Sequence, residues 1–204
     1  MNPYTNNALN NIYDMLFCDD MALYKANGQQ LTGYPWDVFF ADEAPVENLR
    51  FITKDSRLES RQRLLAYRML TARGETVNEK ELLGVIVEVA MPEGLDVLAA
   101  YRDGRARYIN YSGKIVIWEV PTPESEKLVQ ELFAIAEEVV QKIGPWNKPR
   151  RPFPTGDTLR LNFLVSDGLY FGEGPFSVLE ADPMGGPVIA AATQLMVLLT
   201  EKTD

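Results

Sequence analysis

Between positions 82 and 120 short apolar runs alternate with turn chemistry. Leu82–Ala90, Leu95–Arg102, Arg105–Tyr111 and Lys114–Val120 are separated only by Met-Pro-Glu-Gly, Asp-Gly and Ser-Gly. Connections this short join antiparallel neighbours, because a parallel crossover consumes a dozen residues or more. The pattern therefore predicts a four-stranded meander. Further on, Thr158–Ser166 alternates as a strand, Asp167-Gly168 supplies a tight turn, and Leu169–Phe171 returns beside it. Together they predict an antiparallel sheet of about six strands.

Helical periodicity marks the remainder. Ala8, Leu9, Ile12, Tyr13, Leu16 and Phe17 form one stripe behind a cap at Thr5. Pro45 opens a short helix to Thr53, and Ser56 with Glu59 has capping-box spacing before a longer helix that Gly74 stops. Thr122-Pro123 starts a long helix whose apolar positions recur from Leu128 to Ile143, until Gly144-Pro145 ends it. Pro187 to Glu201 reads as a helix apolar almost all round, hence deeply buried or covered by a second subunit. Met21–Tyr24 and Val38–Ala41 read as short strands, with turns at Asn27-Gly28 and Gly33-Tyr34-Pro35. Pro175–Ala181 reads as irregular or a short helix, and the stretch from Trp146 to Asp157, rich in proline and basic residues, as an extended connection.

Long helices beside an antiparallel sheet make the class α+β, with the helices expected mainly on one face. A single domain is expected: a helical part at 1–75, the sheet and long helix at 76–145, and a hairpin with a C-terminal helix at 146–204.

Composition narrows the function. The 46% hydrophobic content suffices for a core, and a net charge of −9 disfavours a nucleic-acid partner by repelling phosphates. No apolar run is long enough to span a bilayer, and the first residues lack a basic start and apolar core. With Cys18 as the single cysteine, the expectation is a cytoplasmic protein without a membrane role. There is no histidine, which excludes Ser-His-Asp, Cys-His and histidine-ligated zinc chemistry. Asp19-Asp20 beside Cys18 argues for an inert thiol. Asp167, Glu173, Glu180 and Asp182 lie near glycines, but their spacing fits no calcium loop and suits turn chemistry better. No cofactor and no metal is expected.

Residue alternation in the meander supplies the candidate site. Val85, Val87, Val89, Leu98, Ala100 and Ile109 are expected to form an apolar face, leaving Glu88, Tyr101, Tyr108, Asn110 and Trp118 on the other. That mixture of aromatic bodies and polar tips suits a ligand or peptide, although a half-solvated or covered face reads equally simply. Arg102-Asp103-Gly104-Arg105, extended by Arg107, offers guanidinium forks to an anion, or else is a solvated hairpin. Seven basic residues from Arg50 to Arg73 face only Asp55 and Glu59 locally, and pairing with the acidic remainder of the chain is the preferred reading. Trp36, Trp146 and Phe153, pinned near prolines, either rim a groove or anchor their loops.

The function expected is a non-catalytic binding or regulatory module that engages a protein partner or small ligand through Glu88, Tyr101, Arg107, Tyr108, Asn110 and Trp118. A carboxylate-based or cation-assisted hydrolase is the alternative, and a homodimer through the C-terminal helix is compatible with either.

Overall fold

The computed structural model describes residues 2–26 and 31–202, so the turn expected at Asn27-Gly28 lies outside the described residues. The meander forms as β1 (Leu82–Met91), β2 (Gly94–Tyr101), β3 (Ala106–Ile109) and β4 (Ile115–Trp118). The hairpin forms as β5 (Thr158–Val165) and β6 (Gly168–Pro175). All pairs are antiparallel in the order β4-β3-β2-β1-β5-β6, so the later hairpin returns to lie beside β1. The α+β class and the six-stranded antiparallel sheet agree with the sequence pattern.

Being central, β1 is flanked on both sides and is buried along its length from Leu82 to Glu88. A strand apolar on both faces requires cover on both. Val85, Val87, Leu98, Leu161 and Phe163 turn toward α6 (Pro123–Val140) and α8 (Gly185–Glu201), meeting Leu132, Phe133, Val188 and Leu195. Ile86, Val97, Ala99, Tyr101 and Leu164 turn the other way, onto α1 (Asn7–Met15), α4 (Val46–Lys54) and α5 (Ser60–Ala72), where Tyr13, Leu16, Leu49 and Leu64 meet them. The helices thus cover both faces rather than mainly one.

Local chemistry explains the element ends. Asn6, not Thr5, caps α1, its Oδ1 accepting from Ala8 N at 2.9 Å. The α5 start shifts to Ser60, where Gln62 Oε1 accepts from Glu59 N at 3.1 Å. At α6, Thr122 Oγ1 accepts from Ser125 N at 3.2 Å and Ser125 Oγ accepts from Thr122 N at 2.9 Å. The segments read as strands at Met21–Tyr24 and Val38–Ala41 are instead α2 (Met21–Ala26) and most of α3 (Trp36–Phe40). Short apolar runs do not distinguish the two periods, and here aromatic packing decides: Trp36 stacks on Tyr24 at 5.9 Å and meets Phe39 edge-on at 5.6 Å. The segment after β6 is α7 (Phe176–Ala181).

Among the described residues no helix is long and apolar enough to cross a membrane. The apolar surplus of α8 is absorbed within the chain, with Val188, Ile189, Leu195, Leu198 and Leu199 all buried. At the β2–β3 turn, Gly104 has φ +85° and an added Cβ would lie 2.9 Å from Pro121 Cγ. Gly104→Ala is expected to lower stability by more than about 1 kcal/mol, because a left-handed backbone and a rigid ring leave the methyl nowhere to go. A denaturation midpoint equal to wild type would contradict this.

Candidate functional site

Of the five residues expected on one sheet face, the four that lie in strands divide between two, and Asn110 falls in the β3–β4 turn. The register pairs Tyr108 with Leu98 and Val116, which places Tyr108 and Trp118 on the side of α6 and α8. Glu88, Tyr101 and Arg107 lie on the opposite side, and Ile109 lies there too rather than with Val85. One residue of slip in the β2–β3 register reverses every assignment in β3. Neither face is open.

Each candidate has an internal partner. Tyr101 is fully buried and its hydroxyl donates to Leu16 O at 2.8 Å. Arg107 is buried, donating to Ala106 O at 2.7 Å and pairing with Glu119. Trp118 Nε1 donates to Ser125 Oγ at 3.2 Å, and Asn110 Oδ1 holds the β3–β4 turn by accepting from Ser112 N and Lys114 N, each at 3.0 Å. Tyr108 borders a small apolar cavity of about 60 Å³ between the sheet and α8. Its hydroxyl is pushed up to about 12 by burial first and by Asp96 second.

Glu88 organises more than its own strand. The register aligns Glu88, Arg160 and Glu173 across β1, β5 and β6. Tyr13 Oη donates to Glu88 Oε1 at 2.5 Å, Asn162 Nδ2 donates to Oε2 at 2.8 Å, and Arg160 Nη1 approaches Oε2 at 3.4 Å. Arg160 also donates through Nε to Glu173 Oε2 at 2.5 Å and through Nη2 to Pro152 O at 2.7 Å. Glu88 is fully enclosed, so no solute can touch it. Burial raises its carboxyl above the usual range, while Tyr13, Arg160 and Asn162 pull the other way. The buried carboxylate thus holds an arginine whose far side clamps the backbone of the strap at 145–153.

That strap walls a broad open cleft of about 920 Å³. Its other walls are Asp19 and Asp20 between α1 and α2, Arg68 and Thr71 on α5, and the β5–β6 turn at 167–169. Trp146 N donates to Leu169 O at 2.7 Å and its ring meets Phe171 edge-on at 5.2 Å. Arg150 lies 4.0 Å over the Phe17 ring and pairs with Asp14 at 2.8 Å and Asp19 at 3.0 Å. Arg151 pairs with Glu173 at 2.8 Å. Of the wall arginines only Arg68 has no ion pair among the described residues; its hydrogen bond is Nη2 to Val165 O at 3.2 Å. Burial lowers its pKa, the mark of a cation partly stripped of water without a direct counter-ion.

Trp146 and Phe153 therefore rim a groove, whereas Trp36 packs in the N-terminal layer. Thr71 and Arg150 were not singled out from sequence, and Arg68 entered only as one of the seven basic residues expected to pair within the chain. The dense proline and arginine content of the strap was the available signal; that α5 faces it was not. Of the seven basic residues expected to pair within the chain, Arg50 pairs with Glu75, Arg57 with Asp55, Arg61 with Glu59 and Arg63 with Glu81, whereas Lys54, Arg68 and Arg73 have no ion pair among the described residues.

The acids near the second hairpin have structural tasks. Asp182 Oδ1 accepts from Met184 N and Gly185 N, each at 2.8 Å, and Asp167 Oδ2 accepts from Tyr170 Oη at 2.9 Å. Among the described residues no group of three His, Cys, Asp or Glu is arranged to hold a metal ion. Burial pushes the Cys18 thiol up to about 11, leaving little thiolate at neutral pH. Comparison with protein-family models, curated proteins and solved structures found no match.

Proposed function

We propose that this protein is a non-catalytic binding module whose protein partner or small-molecule ligand seats in the cleft under the 145–153 strap. The observation that carries this reading is Arg68, a guanidinium with no ion pair among the described residues, in the wall of a cleft whose other arginines are neutralised. Partly desolvated cations are costly to leave unpaired, and sites of this size suit ligands that bury apolar area around a few placed polar groups. The clamp from Glu88 through Arg160 to Pro152 supports it, because a wall held in place loses less entropy on binding.

The acidic charge favours partners other than nucleic acid, and the lone buried cysteine accords with a cytoplasmic setting. Dimerisation through α8 draws little support, since its outward positions are Pro187, Ala190, Thr193, Gln194 and Val197, which offer little large apolar surface. The hydrolase reading loses its leading acid to the enclosure of Glu88.

The test is to fill the cleft. Thr71 is exposed on α5 and lines the cleft, so Thr71→Trp is expected to leave the fold intact and to occupy the space. A library of amino acids, peptides, carboxylates and nucleotides, screened by thermal shift and titration calorimetry, is expected to yield compounds whose binding falls at least tenfold in the variant. Compounds that bind both proteins equally would place the site elsewhere.

A further inference from the structure

We propose that the cleft recognises a small zwitterion, a free amino acid or short peptide, with its carboxylate on Arg68 and its ammonium toward Asp20 and Asp167. This deepens the cleft reading and rests on it. Arg150 is neutralised by Asp14 and Asp19, and Arg151 by Glu173. What remains is Arg68 and Lys148 on the positive side, the latter 5.4 Å from the Trp146 ring, against Asp20, Asp167 and the one negative charge by which Asp14 and Asp19 exceed Arg150. A guanidinium presents a planar fork that matches a carboxylate, and the main-chain bond to Val165 O uses only one of the Arg68 donors.

The negative side is also incompletely used. Among the described residues Asp167 Oδ1, which is buried, has no hydrogen-bond donor, while Asp20 accepts from Ala22 N at 2.8 Å and has no ion pair. Cleft walls with both signs left over favour a ligand that carries both. A dianion such as phosphate gains from Arg68 but meets Asp14, Asp19, Asp20 and Asp167 in the same cleft, so it is disfavoured. Trp146, Pro145 and Leu169 give the ligand's side chain an apolar surface.

The experiment titrates the full chain with each free L-amino acid and with Ala-Ala, Leu-Leu and Phe-Phe, then with the C-terminal amide and N-acetyl form of every compound that binds, and with inorganic phosphate. Arg68→Ala, Arg68→Lys and Thr71→Trp are measured in parallel, and circular dichroism establishes that each is folded. At least one zwitterion is expected to bind, with a tenfold or greater loss on amidation and in Arg68→Ala. Arg68→Lys is expected to recover part of that loss, because the charge returns without the fork. Acetylation is expected to weaken binding as well. Affinity unchanged by amidation or by Arg68→Ala, or phosphate binding tighter than every zwitterion, overturns the assignment. Absence of any zwitterion binding also overturns it, yet the cleft reading survives separately if other compounds bind and are lost in Thr71→Trp.

Discussion

Replacing Glu88 with alanine is expected to lower the unfolding free energy by about 3 kcal/mol or more, near the bottom of the roughly 3–5 kcal/mol range for breaking a buried charged pair. The loss has three parts. Tyr13 Oη and Asn162 Nδ2 lose their carboxylate acceptor inside the core, and Arg160 keeps only Glu173 as a counter-charge. Because Arg160 also holds Pro152 O, amide exchange across the strap at 145–153 is expected to accelerate beyond the global effect. Glu88→Gln separates packing from charge. Burial raises the folded carboxyl above its ordinary 4.5, so the folded state holds this proton more tightly than the unfolded state does. The group's contribution is then full below the unfolded value and declines as pH rises through the folded one. Relative to wild type, Glu88→Gln should therefore gain stability as pH increases from about 4.5 toward neutrality. Urea titrations across that range check the sign; parallel curves for the two proteins would show that Glu88 is not titrating as its burial implies.

Truncation before Pro187 is the more drastic change. It removes five large buried side chains, Leu198 and four that pack in the layer between the sheet and α6, namely Val188, Ile189, Leu195 and Leu199. At about 1.5–3 kcal/mol each, their burial is comparable with the entire 5–15 kcal/mol stability of an ordinary domain. The expected product shows no cooperative unfolding transition and aggregates through the exposed sheet face. Sedimentation and near-ultraviolet circular dichroism distinguish this from a merely weakened assembly. A truncated chain that stays folded and changes only its mass would restore the case for α8 as a subunit interface.

Much of the architecture is legible because its signals are local. The meander follows from period-2 runs with two- and four-residue connections, α6 from Thr122-Pro123 and its apolar stripe, and the second hairpin from Asp167-Gly168. Met21–Ala26 and Trp36–Phe40 escaped because six or fewer residues complete too little of either period, and packing of Tyr24, Trp36 and Phe39 selects the helix. Sheet faces escaped for a different reason. Alternation orders residues within one strand, but the phase between β2 and β3 depends on how the Asp103-Gly104 turn closes, and that phase separated Tyr108 from Glu88.

Sequence alone determined the α+β class, the strand count and the absence of histidine chemistry, since each depends on residue type or near-neighbour spacing. Tertiary structure decided the rest. The return of β5 beside β1 makes the centre of the sheet apolar on both sides and thereby recruits a helical layer to each. It also brings Arg160 beside Glu88, and folding sets the strap opposite α5, so the cleft is composed of groups as distant as Asp19, Arg68 and Trp146. Cross-strand register and long-range closure are properties of paired segments, and no window along the chain contains both partners.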